Sequence, residues 1–296
     1  MIRLAQAPRL RGYLFATPLI AVLSVAILLP AAYNTAVAFY RYNSMRRTWT
    51  FSGFANFTRL FGSEEFWSSF SVTLIWVVGN VGLQLAIGLA VALALARITR
   101  FRGPFSATLL IPWVSSFVVV GVLFLWIYHP QFGALNDLLL RTGLVAQPVG
   151  WLASPGLAQV SLIAANTWKF FPLVMITLFT GLLDIPDELL ESAATEGASR
   201  LQSLRHIVLP LLAPSIATAV LLSTIWAFNT FTLPIIMTAG GPLGATEVLG
   251  LYIYRLAFQS FDFGGAAAAS IILFVQILVV TVLYLRVADR DLAGAP

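Results

Sequence analysis

The sequence predicts an all-α transmembrane protein, a bundle of six membrane-spanning helices. Three observations carry this. Hydrophobic residues make up 59% of the 296 and charged residues only 10%, against about 25% charged in soluble domains. That is too little polar surface to coat a globule in water, and the mean hydropathy of +0.89 says the same. Apolar stretches long enough for the ~20 residues that a helix needs to cross the hydrocarbon core occur six times. All twelve acidic residues fall between those stretches or at their ends.

The same composition excludes several function classes. The net charge is +5, with no basic run interleaved with aromatics, so no nucleic-acid partner is expected. Cysteine is absent, which removes disulfides, thiol catalysis and Cys-ligated metal. His129 and His206 lie far apart and share no metal-binding spacing, so no metal site is expected. No nucleophile–base pairing appears, and a membrane enzyme is disfavoured.

The six spans are placed at Tyr13–Phe39, Ser71–Ala96, Phe105–Tyr128, Ala158–Leu182, Pro214–Met237 and Phe263–Leu285. The first follows Arg3, Arg9 and Arg11, as a signal peptide would, but its apolar run exceeds the roughly 7–15 residues of such a segment. It is expected to be a retained span. Residues 1–66 are then the first transmembrane helix with its following loop. Residues 67–290 are a five-helix core that carries a loop at 184–212.

Arginines in the loops orient the bundle. Ten fall on one side: Arg3, Arg9, Arg11, Arg97, Arg100, Arg102, Arg200, Arg205, Arg286 and Arg290. Six fall on the other: Arg41, Arg46, Arg47, Arg59, Arg141 and Arg255. The bias puts both termini and the 184–212 loop in the cytoplasm.

On the opposite side, residues 41–67 hold Trp49, Phe51, Phe54, Phe57, Phe61, Phe66 and Trp67. Phe54, Phe57 and Phe61 share one helical face. A short helix there either lies in the membrane interface or packs against other loops. Residues 129–157 carry Gly133, Asn136, Gly143, Pro148, Trp151 and Pro155, the composition of a folded loop with turns.

A few polar residues fall inside spans. Lys169 is the chain's one lysine. A charge at mid-bilayer costs about 2.5–3.5 kcal/mol on insertion scales, so it must face the bundle interior, water or a carbonyl, or snorkel outward. With Asn166, Thr167 and Trp168 it gives the fourth span a polar face. Asn229 stands among Trp226, Phe228 and Phe231, a mixture of amide and rings suited either to a sugar or to an interhelical hydrogen bond. Lys169, Asn166, Asn229, Phe228 and Trp226 are the candidate lining of a translocation pathway; a structural role fits Lys169 and Asn229 equally. Asn80, Gln84 and Gln276 read as helix-packing polar residues. Pro112, Pro172 and Pro234 should kink or break their spans.

The loop at 184–212 has its own internal design. Pro186 suits the first position of a helix, with Asp187 and Glu188 in its positive first turn. Gly197 permits a tight turn. Ser199 and Gln202 have the spacing of a capping box for a second helix, which Pro210 and Pro214 end. The product is two short helices with small residues at their corner. It is either an amphipathic hairpin on the membrane surface or a docking site.

No energy source resides in the chain. A P-loop needs a glycine-rich turn before its Lys, and Lys169 sits in an apolar helix ahead of Phe170. If ATP drives this protein, another polypeptide binds it. The absence of carboxylates within spans counts against a proton relay.

Glu191-Ser192-Ala193, then Gly197, then Ile207, Leu209 and Pro210 follow the spacing E-A-A, three residues, Gly, nine residues, I-x-L-P. This resembles the signature loop of the membrane subunits of bacterial ABC importers. Ser192 replaces the first Ala. Leu182–Pro186 resembles the L-x-x-I-P that precedes the loop in the sugar-importer branch. Trp226–Phe231 with Thr238–Pro242 resembles the W-x-F-N-x-F and T-x-G-G-P of the maltose and glycerol-phosphate type, as do Leu251–Phe258, Phe261, Ala266–Ser270 and Asn56-Phe57. Thr232 stands where many relatives carry Asp.

The resemblance implies an ABC type I importer (MetI-like) architecture. It implies a permease subunit in the bacterial cytoplasmic membrane, paired with a second permease subunit, two ATPase subunits and an extracytoplasmic solute-binding protein. ATP and Mg would be bound by the ATPase. Glu191 would face a basic group there, and Ala193 and Gly197 would form the contact. The cargo class is a sugar, oligosaccharide or glycerol phosphate. The alternative is a stand-alone ion-coupled secondary transporter.

Overall fold

The computed structural model describes residues 8–43, 48–98 and 102–293. Arg3, Arg46, Arg47 and Arg100, which enter the charge bias, lie outside them. The chain divides into two compact units. One joins Met1–Ser63 to Ile253–Ile272; the other joins Glu64–Tyr252 to Leu273–Pro296.

The first unit begins with α1 (Pro8–Leu23), a π-helical turn (Ser24–Leu28) and α2 (Leu29–Val37). Together they give the expected first span. Its apolar window, Ala16–Val37, buries none of its residues within the protein, as a helix hydrophobic all round does when lipid is its solvent.

Two strands follow, β1 (Tyr40–Asn43) and β2 (Thr48–Phe51), paired antiparallel with Tyr42 opposite Trp49. This ribbon departs from the all-α expectation. Its sequences, Tyr-Arg-Tyr-Asn and Thr-Trp-Thr-Phe, are rich in the aromatic and β-branched residues that favour strands. Cross-strand rings lie 4.8 Å apart for Tyr42–Trp49 and 5.5 Å for Tyr40–Phe51.

The expected short helix is α3 (Ala55–Phe61). Phe54 and Phe57 gather on Phe39, at 5.3 and 5.7 Å. Buried Asn56 donates to the carbonyls of Ala38 and Tyr40, at 2.8 and 2.9 Å, satisfying the backbone where the first span ends. Arg59 pairs with Asp262, which also caps the start of the last span by accepting from the Gly265 N–H at 3.0 Å.

The second unit holds α4 (Glu64–Ala96), then α5 (Arg102–Leu109), α6 (Ile111–Val114) and α7 (Phe117–Ile127). The third predicted span is therefore not one helix but three pieces. Among the described residues five helices are long and apolar enough to cross a membrane, with Phe117–Ile127 a shorter apolar one. Pro112 sits in the first turn of α6. Ser115 and Ser116 are both extended, and the Ser116 hydroxyl accepts from the Val118 N–H to start α7.

A folded loop with α8 (Ala134–Arg141) leads to α9 (Pro155–Leu183), which packs along α4. The helix α9 runs through Pro172 without a break. Thirteen of its residues are buried, and packing on that scale holds the helix where a proline removes one bond. Ala92 and Leu95 of α4 meet Val174, Met175 and Leu178 of α9 in a core closed by Leu212 and Ala219.

Next come α10 (Asp187–Thr195), α11 (Arg200–Ser203), a π-helical turn (Leu204–Val208) and α12 (Leu209–Asn229). Pro210 and Pro214 do not end the second loop helix, as the sequence suggested. The chain stays helical from Arg200 into the fifth span. A proline ring crowds the carbonyl four residues back. At His206 that carbonyl lies in the wider π turn, where the Leu209 N–H reaches back to Leu204. The same device recurs at Pro30, two residues past the π turn of the first span.

The fifth span breaks at Thr230-Phe231, before α13 (Thr232–Met237), which contains Pro234. A tight loop follows. Ala239, Gly240, Leu243 and Gly244 all have positive φ, and Gly241–Pro242 is cis. Thr246 Oγ1 ties the loop to Thr238 Oγ1 at 2.6 Å and to the Gly241 carbonyl at 2.9 Å. The chain ends in α14 (Leu249–Tyr254), a π turn (Arg255–Gln259) and α15 (Phe263–Ala293).

Candidate functional site

The 184–212 loop is a rigid corner built by local rules. Pro186 stands just before the helix rather than in its first turn, and Asp187 and Glu188 open α10. At its end the Ala198 N–H bonds to the Ala193 carbonyl at 2.9 Å, and the Gly197 N–H to that of Ala194 at 3.1 Å. This pair of bonds is a Schellman motif, and Gly197 takes the left-handed conformation it needs, with φ +87°. Ser199 and Gln202 then form the expected capping box in both directions: Ser199 N–H to Gln202 Oε1 at 2.7 Å, and Gln202 N–H to Ser199 Oγ at 3.4 Å.

Every residue of the motif is at least partly open. Glu191, Ser192, Gly197 and Pro210 are exposed, and Ala193, Ile207 and Leu209 are half-buried. A Cβ added at Gly197 would meet nothing within 4 Å. Leu201 is 72% exposed and Leu189 44%. The corner therefore presents apolar side chains, small residues and the Glu191 carboxylate together on an unfilled surface.

The buried polar face is the second candidate. On α4, Asn80 Nδ2 bonds to the Trp76 carbonyl at 2.8 Å. Its Oδ1 accepts from Asn166 Nδ2 at 2.7 Å, and from Gln84 Nε2 at 3.4 Å. Asn80, Gln84 and Asn166 are each no more than 1% exposed. Asn80 makes the helix-packing contact expected of it, to Asn166 of α9, whereas the Gln84 bond stays within α4.

One turn along α9, Lys169 is 3% exposed. Its ammonium donates to the carbonyls of Trp113, at 3.1 Å, and Ser115. It also lies 4.6 Å from the Phe117 ring centre and 5.6 Å from that of Phe170. Of the sequence options for Lys169, the structure realises the carbonyl. The charge faces the open end of α6, where unpaired carbonyls concentrate negative partial charge.

The remaining pathway candidates do not converge on these two. Phe228 is buried, while Trp226 and Asn229 are exposed on α12. Trp226 meets Phe170 at 5.5 Å. The Asn229 amide bonds to Ile225 of its own helix at 2.8 Å, so its hydrogen bond is intrahelical rather than interhelical. Among the described residues no cluster of three His, Asp or Glu side chains could hold a metal.

Sequence reasoning undervalued Asn136. It is 2% exposed and bonds to Pro130, Val149 twice and Trp151, at 3.0 to 3.1 Å, so it organises the whole loop between the third and fourth spans. Its proximity to Gly133 and Trp151 in a turn-rich stretch was the available signal.

Comparison with known proteins extends these observations. The family described as binding-protein-dependent transport system inner membrane component matches residues 82–292. The trehalose/maltose transport system permease protein of Thermococcus litoralis is 34% identical over 276 residues, 93% of this chain and 92% of that protein. The sulfoquinovosyl glycerol transport system permease protein of Agrobacterium fabrum is 32% identical over 280 residues, 94% of this chain and 90% of that one. A solved bacterial alginate ABC transporter, in complex with an alginate pentasaccharide-bound periplasmic protein, superposes with a TM-score of 0.78 at 25% identity, covering 94% of both chains. The type I importer architecture that the sequence implied is the fold of this chain.

Proposed function

The chain belongs to the family of inner membrane components of binding-protein-dependent transport systems, and from that premise we propose that it is one permease subunit of an ATP-driven sugar importer. As a member it is a multi-pass inner membrane protein and the permease component of an ABC importer. In this reading it forms half of the translocation pathway. A periplasmic binding protein delivers the solute, and a second permease subunit completes the pathway. Two ATPase subunits bind ATP and Mg, and this chain carries out no catalysis.

The observation that supports the coupling most is the corner at Gly197. Two exposed helices meet at a Schellman turn and a capping box, both fully bonded, so the corner is rigid without a partner. A rigid, uncovered corner continuous with the fifth span transmits a push. Glu191 supplies charge and Ala193 supplies a close approach to a cleft on the ATPase. The cargo is a sugar or sugar derivative, as the names of the trehalose/maltose and sulfoquinovosyl glycerol permeases suggest by kinship.

The test is reconstitution of this chain in liposomes with an ATPase, a binding protein and a second permease subunit. ATP-dependent uptake of a sugar that requires all four supports the proposal. Uptake by this chain alone, driven by an ion gradient, would overturn it in favour of a secondary transporter.

A further inference from the structure

Among the described residues, four buried side-chain atoms have no hydrogen-bond partner: Gln84 Oε1, Asn166 Oδ1, Thr167 Oγ1 and Gln276 Oε1. One of them has a specific neighbour. Asn166 lies three residues before Lys169 on α9, and residues so spaced are adjacent on a helix surface, with Cβ atoms ~5–6 Å apart. Lys169 is the chain's one lysine, and its ammonium is seated on the third span, at the carbonyls of Trp113 and Ser115. A flexible four-carbon stem therefore stands one turn from an unused acceptor.

We propose that Asn166 Oδ1 is the second seat of the Lys169 ammonium, and that the pair is a two-position latch on the broken third span. In the described state the ammonium holds the joint between α6 and α7. When that joint withdraws from α9, the ammonium moves to Asn166 Oδ1. Lys169 is thus a positioning residue that acts through the third span.

The energetics require an alternative acceptor. An ammonium stripped of partners inside a bilayer is heavily penalised. An idle seat one turn away lets the joint part without baring the charge. Asn80 holds the Asn166 amide by its Nδ2, so Oδ1 keeps a fixed orientation in both positions. Both seats are neutral oxygens, two backbone carbonyls in the present position and one side-chain amide in the other.

The geometry carries this latch; only its place in a transport cycle rests on the proposed function. The chain has no native cysteine. Spin labels on cysteines introduced at Val119 of α7 and Val160 of α9, exposed 59% and 63%, report the separation of the third and fourth spans. The full chain with its co-purified partners is measured in nanodiscs without nucleotide. Asn166→Asp makes the second seat anionic, at the cost of the bond its Nδ2 donates to Asn80, and is expected to shift the distribution toward the longer distance, because a carboxylate attracts the ammonium more strongly than a neutral carbonyl oxygen does. In a Lys169→Met background the same substitution is expected to change nothing. Asn166→Leu removes the seat and leaves only the shorter distance.

An unchanged distribution in Asn166→Asp overturns the latch, as does an equal shift with and without Lys169. If Asn166→Asp fails to fold, a longer distance that persists in Asn166→Leu overturns it as well. ATP-dependent uptake by the wild-type complex is a separate readout, so failure of the functional reading and failure of the latch are distinguishable.

Discussion

Asn166 and Asn80 are joined side chain to side chain at 2.7 Å, across the two most extensively packed helices, with neither residue more than 1% exposed. Asn80 Oδ1 also receives the weaker bond from Gln84, at 3.4 Å. One amide therefore serves as acceptor for two helices. Asn80→Ala leaves Asn166 Nδ2 without an acceptor and is expected to destabilise by about 1–3 kcal/mol. Gln84→Ala loses a long bond and removes an unpaired oxygen, so its effect should be smaller. Denaturant titration of both variants in mixed micelles measures the difference, and equal losses would refute the ranking.

Asp262 has two roles that separate by substitution. Its Oδ1 caps α15 through Gly265, and its Oδ2 pairs with Arg59, whose side chain is 46% exposed. Solvent screens the pair, which is worth ~0–1 kcal/mol, whereas a lost N-cap costs about 0.5–2 kcal/mol. Asp262→Asn should keep the cap and lose only the salt-sensitive part. Asp262→Ala should lose both. Melting temperatures at low and high salt read this out, with high salt closing the gap between wild type and Asp262→Asn only.

Gly197 distinguishes backbone need from partner contact. Its φ of +87° suits Gly, and its Cβ direction is open. Gly197→Asn should fold nearly as well as wild type, because Asn tolerates this conformation, while Gly197→Val should lose ~1–2 kcal/mol. Both are expected to lose ATPase coupling if a partner surface lies against the corner. Thermal stability measured beside ATP hydrolysis in the assembled complex checks it; full coupling in a well-folded Gly197→Asn would remove the contact.

Glu191→Lys is expected to insert normally and to lose transport, since the carboxylate is exposed and supports no internal bond in the corner's capping scheme. Ser192→Ala should leave transport unchanged, because both side chains are small. Uptake assays on membranes with matched permease content decide both.

Asn136 bonds outward through both ends of its amide, donating to the carbonyls of Pro130 and Val149 while accepting from Val149 N–H and Trp151 Nε1. Asn136→Asp preserves shape but sets an acceptor against two carbonyls. It should destabilise the loop by about 2 kcal/mol or more, comparable to Asn136→Ala. Faster proteolysis between residues 129 and 157 in both variants is the expected signature.

The sequence by itself determined what depends on neighbours in the chain. Apolar stretches of span length placed the first, fourth and sixth spans within a few residues and the end of the second, while the fifth begins earlier than its apolar run. Ser199 and Gln202 announced a capping box, and Gly197 a left-handed turn, because those bonds close within five residues and follow from backbone geometry alone. The family pattern was legible for the same reason, since its spacing lies in one contiguous loop.

Only the tertiary structure decided what polar residues inside spans do. Lys169 reaches a carbonyl 54 residues away, Asn166 an amide 86 away, and the Trp76 indole a carbonyl 151 away at Ala227. Local pattern says that each needs a partner in a bilayer, but the partner is chosen by helix packing. The break at Ser115-Ser116 belongs with them. An apolar run reads as one helix, and it opens into three pieces where another helix supplies an ammonium for the carbonyls it frees. Pro210 shows the converse: a residue that ends helices in isolation is carried through one when a π turn clears space for its ring.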